Sequence, residues 1–138
     1  MTDMDAKTLL TPKTKVEFLY SDVTIGEAIA KMKKKRYALI PVLERTSNRY
    51  LYSISSSDLL YKMVSLGDVK KAEALPITEV EINRLVIPAP FSKDIESLGD
   101  LLSSQNFVPI VDEKGTFLGL VTRRSVFNYL LSERNKGE

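Results

Sequence analysis

Residues 37–64, "YALIPVLERTSNRYLYSISSSDLLYKMV", can be laid on residues 105–131, "QNFVPIVDEKGTFLGLVTRRSVFNYLL". Pro41 then falls on Pro109, an offset of 68, and once one residue is dropped from the loop Ser55 falls on Thr122. Beyond that point the apolar positions coincide: Leu59 with Val126, Leu60 with Phe127, Met63 with Leu130 and Val64 with Leu131. A spacing of i, i+1, i+4, i+5 is one face of a helix, here used twice. Self-similarity at a fixed offset marks a repeated supersecondary unit.

Working outward, each copy reads in the same order. In the first, "KVEFLY" (15–20) is rich in β-formers and predicts a strand. Asp22 can cap the helix that follows, where Ile25, Ala28, Ile29 and Met32 form an apolar stripe. "ALIPVLE" (38–44) and "YLYSIS" (50–55) then read as strands around a polar turn, and residues 58–65 as a second helix. The second copy offers "RLVIPA" (84–89), a helix carrying Ile95, Leu98, Leu101 and Leu102, and strands "FVPIVDE" and "TFLGLVT" around Lys114-Gly115. Its last helix is expected to begin near Ser125. Residues 67–80, "GDVKKAEALPITEV", read as a charged linker helix or loop. The expected organisation is an N-terminal arm (1–13), a first repeat (14–66), a linker (67–81) and a second repeat (82–138). The β-α-β-β-α order predicts an α+β fold with helices on one face of each small sheet.

The composition fits a globular chain: 43% of residues are hydrophobic and 28% charged. A copy of about 60 residues is marginal alone, so the pair is the sensible unit. The net charge of +2 does not call for nucleic acid or a membrane surface. No apolar run approaches the ~18 residues of a membrane span, and "MTDMDAKTLL" lacks the order of a signal peptide, so a cytoplasmic location is expected. With no His and no Cys, the usual zinc ligand sets and the imidazole-assisted Ser or Cys nucleophiles are excluded, and no metal site is expected. Neither Gly-rich phosphate loop occurs among the six glycines. Of the hydrolases only a carboxylate-based one survives, and the chain is read as a non-enzyme.

The repeated residues resemble the CBS domain, in the tandem pair called a Bateman module. That family carries a hydrophobic-Pro-hydrophobic-hydrophobic-acidic strand, here Ile40-Pro-Val-Leu-Glu44 and Val108-Pro-Ile-Val-Asp112. It also carries a Gly-x-hydrophobic-Ser/Thr-x-x-Asp turn. The first copy has Ser55-Ser-Ser-Asp58 with Tyr52 at the glycine; the second has Gly119-Leu-Val-Thr122-Arg-Arg-Ser125, with serine at the aspartate. The resemblance implies adenosine-type ligands in clefts between the copies, and homodimerisation into a flat disc. Its aspartate usually bonds ribose, and its Ser/Thr lies near phosphate.

A narrower resemblance, carried by Lys15-Val16, Arg36-Tyr37-Ala-Leu-Ile-Pro41, Ile82-Asn-Arg-Leu85 and Thr122-Arg-Arg124, is to small stand-alone CBS proteins of Gram-positive bacteria that bind cyclic di-AMP. It implies a ligand pocket of Lys15, Val16, Glu17, Tyr37, Ala38, Ile40, Thr122, Arg123 and Arg124. A second cleft would use Ser55, Asp58, Arg84 and Val108. It further implies a regulatory module signalling to a protein partner such as a (p)ppGpp synthetase/hydrolase. Sensing of AMP, ADP or ATP, and a ligand-free interaction module, stand as alternatives.

The residues themselves admit two readings each. Thr122 can be the N-cap of the last helix, whose first amides are unpaired donors able to take a phosphate. An arginine there adds planar bidentate donation, yet two arginines at a helix start oppose its dipole. They are either solvated or serve an anion. Tyr37 can stack on a purine or be an ordinary strand aromatic; Lys15 alone says little; Asp58 is either a cap or a ribose contact. The run Lys31-Met-Lys-Lys-Lys-Arg36 sits where cations suit a helix C-terminus and reads as a solvated face or a docking surface before a nucleic-acid site.

Overall fold

The structure, a computed structural model, describes residues 6–136. The chain forms two compact units, one of Glu17–Leu85 and one made of the residues before and after that span. The described N-terminal residues form a short helix α1 (Ala6–Leu9), a two-residue strand β1 (Thr11–Pro12) and a 3-10 turn at Lys13–Lys15. All belong to the unit of the second copy.

The first-copy unit runs β2 (Leu19–Tyr20), α2 (Ile25–Lys34), β3 (Leu39–Leu43), β4 (Tyr50–Ser55), α3 (Ser56–Leu66), α4 (Val69–Ala74) and a 3-10 turn at Ile77–Glu79. Its sheet has the order β2-β3-β4: Leu19 lies parallel to Val42, and Ile40 is antiparallel to Ile54. Ile25, Ala28 and Met32 of α2 and Leu59 of α3 close on Leu19, Ile40, Val42 and Ile54, with Ile77 and Val80 completing the core. The connector after α3 is therefore part of this core, tied on by Ile25 N–H to Leu75 O (2.8 Å) and Ile77 N–H to Val23 O (3.0 Å).

The second-copy unit continues with β5 (Ala89–Pro90), α5 (Ile95–Leu102), β6 (Phe107–Val111), β7 (Phe117–Thr122) and α6 (Arg123–Lys136). Its sheet has the order β1-β7-β6-β5, so the strand from the start of the chain adds a fourth member. Ala6 and Leu9 join Ala89, Leu98, Leu102, Val108, Ile110 and Val121 in the core. The fold class is α+β with two β-α-β-β-α copies, as the repeat predicts.

Several local expectations change. The strand expected over 15–20 is ordered only at Leu19–Tyr20, because Lys13–Lys15 turns as a 3-10 helix after Pro12. The strand expected over 84–89 shrinks to Ala89–Pro90: Pro88 has no N–H, and a side-chain amide occupies the main chain of Ile87. Asp22 does not cap α2. Thr24 does, in a reciprocal box with Glu27, and Asp22 instead holds the Arg45 guanidinium through two bonds of 2.6 and 2.7 Å. The last helix starts at Arg123, two residues before Ser125.

Gly119 explains how β1 reaches β7. Thr11 pairs with Leu120 and Pro12 with Gly119, and a Cβ on Gly119 would lie 2.1 Å from Thr11 O. Only glycine admits that approach. In the first copy the matching residue is Tyr52 on β4, which among the described residues is the last strand of its sheet.

Candidate functional site

In both copies the turn after the last strand is a helix cap. Ser55 Oγ accepts from Asp58 N–H (3.0 Å), and Asp58 Oδ2 accepts in return from Ser55 N–H (3.0 Å). In the second copy Thr122 Oγ1 accepts from Ser125 N–H (3.2 Å), and Ser125 Oγ accepts from Thr122 N–H (3.1 Å). Ser125 thus does the capping work of the aspartate without its charge. The two caps share a geometry, and their reciprocal residues, Asp58 and Ser125, differ by one negative charge.

Asp58 is committed to the fold. Only 6% of it is exposed, and its second oxygen accepts from Asn83 N–H at 3.3 Å. The hollow of about 380 Å³ beside it is lined by Tyr61, Lys62, Ser65, Glu79 and Glu81 as well. Three carboxylates against one ammonium make that hollow a poor place for a phosphate. Arg84 is exposed, and Val108 is fully buried in the core, so the side chain of Val108 is not available to a ligand.

The two arginines after Thr122 part company. Arg123 Nε donates to Leu102 O (2.8 Å) and its Nη2 to Gln105 O (3.3 Å), which are carbonyls at the C-terminal end of α5. A cation there satisfies orphan acceptors and suits the helix dipole. Arg124 is exposed and makes no hydrogen bond or ion pair among the described residues. It stands in the first turn of α6, where the amides of Arg123 and Arg124 precede the first capped one, at Ser125. Thr122, Arg124 and those amides form one electropositive corner.

Lys15 is also exposed and unpaired among the described residues, in the 3-10 turn that follows β1 in the same unit. β1 runs antiparallel to β7, with Pro12 beside Gly119, and the chain then turns at Lys13–Lys15. Val16, half-buried, follows Lys15 in the same unit.

Glu17, Tyr37, Ala38 and Ile40 lie in the first-copy unit. Glu17 pairs with Lys31 at 3.5 Å, and Lys31 Nζ also donates to Phe18 O (2.6 Å). The first lysine of the 31–36 basic run is thus engaged, while Lys33, Lys34 and Lys35 are exposed. Tyr37 is half-buried and faces a groove of about 460 Å³ shared with Met32, Leu59, Met63 and Arg36. Ala38 is exposed, and Ile40 is 1% exposed, which leaves it a core residue able to offer a ligand nothing but backbone. Arg36 holds a left-handed conformation (φ 55) that ends α2, with Arg36 N–H to Lys33 O and Tyr37 N–H to Met32 O closing the turn.

A buried polar residue escaped the sequence reading. Gln105, 4% exposed, accepts from Ile87 N–H (3.1 Å) and donates to Ile87 O and Phe107 O (both 2.9 Å). Its pairing with Tyr37 in the repeat alignment was the available signal, since an amide stands where the other copy has an aromatic ring. Among the described residues no cluster of Asp and Glu is placed to hold a metal ion, and no helix is long and apolar enough to cross a membrane.

Residues 6–65 and 77–132 match the CBS domain family. Among solved structures, CbpB in complex with c-di-AMP superposes with a TM-score of 0.84 at 17% identity, over 99% of this chain and 92% of that one. A hypothetical conserved protein from Geobacillus kaustophilus gives 0.83 at 25% identity over 96% and 99%. CBSX2 in complex with AMP gives 0.74 at 19% identity over 94% and 98%. No curated protein matches in sequence.

Proposed function

Because the chain belongs to the CBS domain family, we propose that it is a regulatory, non-catalytic module that senses an adenine nucleotide, cyclic di-AMP ahead of AMP, ADP or ATP. The observation that carries this reading is the unpaired Arg124 beside the capped start of α6, where serine has replaced a carboxylate that would repel phosphate. The likeness to CbpB holding c-di-AMP and to CBSX2 holding AMP supports a nucleotide of this class. Thr122, Arg124 and the first amides of α6 are assigned to phosphate, with Lys15 for a second, separate phosphate. Tyr37 is assigned to stacking, with Val16, Glu17, Ala38 and Ile40 contributing backbone; Arg123 is assigned mainly to the end of α5. The AMP reading relies on Asp58 for ribose, and both oxygens of Asp58 already accept main-chain N–H groups.

Occupancy would bias conformations that a protein partner distinguishes, in the cytoplasm of a bacterium. The resemblance points to a (p)ppGpp synthetase/hydrolase as that partner. Leu60, Tyr61 and Val64 on α3, and Phe127 and Leu130 on α6, are all more than half exposed, and we assign these matching apolar faces to a homodimer. Calorimetry with cyclic di-AMP, AMP and ATP tests the ligand. Cyclic di-AMP binding at least tenfold tighter than AMP, and lost in Arg124→Ala, is the expected result; equal affinity for the two sinks it. Sedimentation of Leu60→Glu and Phe127→Glu as monomers is expected from the dimer.

A further inference from the structure

The two copies treat one main-chain position in opposite ways. Strand register makes Ile87 the counterpart of Glu17, because Ala89 faces Ile110 as Leu19 faces Val42. The repeat makes Gln105 the counterpart of Tyr37. In the second copy both polar groups of Ile87 are taken by the Gln105 carboxamide, whose nitrogen also reaches Phe107 O. The amide orientation is fixed by its partners: only its NH2 can donate to two carbonyls, and only its oxygen can accept from an N–H. In the first copy the phenol ring of Tyr37 offers no such amide. The main-chain N–H and C=O of Glu17 make no hydrogen bond among the described residues.

A main-chain N–H beside a C=O is matched by any planar edge that sets a donor beside an acceptor. A carboxamide has that edge, and so does adenine, with its amino group next to N1. We infer that Gln105 is a built-in occupant of the Ile87 edge, standing where an adenine edge would sit. The second copy is closed from within, while the open edge at Glu17, with Tyr37 at the plug's position, is the one that reads a base. The assignment of adenine rests on the function proposed above; the closure by Gln105 does not. One adenine edge per chain is therefore read by main chain, not two. Burial of Gln105 among three satisfied bonds makes this closure permanent in the native state, since opening it would strand buried polar groups.

Amide hydrogen exchange on the ligand-free chain tests the closure alone. The Ile87 amide is expected to exchange at least tenfold more slowly than that of Glu17, and equal rates overturn the inference whether or not any nucleotide binds. Calorimetry with AMP tests the site. The wild type should take one AMP per chain, and Gln105→Ala two. A Gln105→Ala chain whose Ile87 amide has become labile but which still takes one AMP overturns the assignment of that edge to adenine. Gln105→Glu, nearly the same in shape, covers the case in which the alanine variant does not fold: a buried carboxylate set against the Ile87 and Phe107 carbonyls is repelled from the edge, so Ile87 exchange should be faster than in the wild type, and unchanged exchange counts against the plug. Absence of AMP binding to both wild type and Gln105→Ala would remove the nucleotide reading and leave the exchange result standing.

Discussion

The first copy ends its sheet on β4, where Tyr52 stands half-buried with its phenol pushed up by burial. The second copy continues past the matching strand, because Gly119 lets β1 lie against β7. Glycine at that position lets the second sheet accept a further strand, and the first copy carries tyrosine there. The same pairing of copies shows aspartate against serine at the helix cap, and tyrosine against glutamine at the main-chain edge. The scaffold is duplicated; the differences fall where a strand is added, a charge is removed or a main-chain edge is taken up.

The largest effect should come from Gly119→Ala. The Cβ would meet the Thr11 carbonyl, so the substitution should cost about 1–3 kcal/mol and free β1, read as a lower Tm and as exchange at Thr11. Tyr52→Ala should leave β1 exchange untouched. Asp58→Ser, which gives the first copy the residue of the second, should cost about 1–2 kcal/mol because Asn83 N–H loses its acceptor; an unchanged Tm would break the distinction between the two caps. Arg123→Ala should lower stability by about 1 kcal/mol through the lost carbonyl contacts of α5, whereas Arg124→Ala should alter ligand affinity and not Tm. If the two arginines behave alike, their division of labour is wrong.

Two smaller effects concern pH. Burial pushes the Tyr50 phenol up to about 12. A raised value favours the neutral form, so its contribution is complete below the ordinary tyrosine value near 10 and is lost as pH rises through about 12. Tyr50→Phe should flatten that alkaline loss in denaturant titrations. The Arg45 hydrogen bonds hold the Asp22 carboxyl below its ordinary value, so the pair supports the fold above the usual carboxylate range and fades as pH falls through the lowered value. Both side chains are half exposed, and Asp22→Asn should give the smallest change of the set, seen only as a slightly shallower acid limb.

The repeat made the architecture legible, since apolar spacing and the two proline-containing strands report burial directly. What it could not report was competition for backbone groups. "KVEFLY" has strand propensity throughout, yet a strand needs a partner, and only Leu19 and Tyr20 find one on β3. "RLVIPA" fails for the same reason, because Gln105 reaches Ile87 first. Asp22 was as good a cap by composition as Thr24, but Arg45, far along the chain, claims it. At the turn, the residues Thr122 and Ser125 were readable as a cap. The separate uses of Arg123 and Arg124 were not, since a guanidinium reaching Leu102 depends on how α5 and α6 pack. The two C-terminal helix ends show the same limit: α5 is held by the side chain of Arg123, and α2 by the backbone of Arg36 in a conformation costing roughly 1–2 kcal/mol.

The strand that glycine admits has a temporal consequence. Residues 11 and 12 leave the ribosome ahead of their partners, Gly119 and Leu120, which are more than a hundred residues behind. At ordinary elongation rates that is a wait of roughly 5–20 s. The Glu17–Leu85 unit contains its whole sheet and can close during that interval, while β1 stays exposed to proteases and chaperones. Nascent chains arrested at residue 110 should therefore be cut near Thr11 and resist cleavage between Glu17 and Leu85. The strand made before that unit is secured after it.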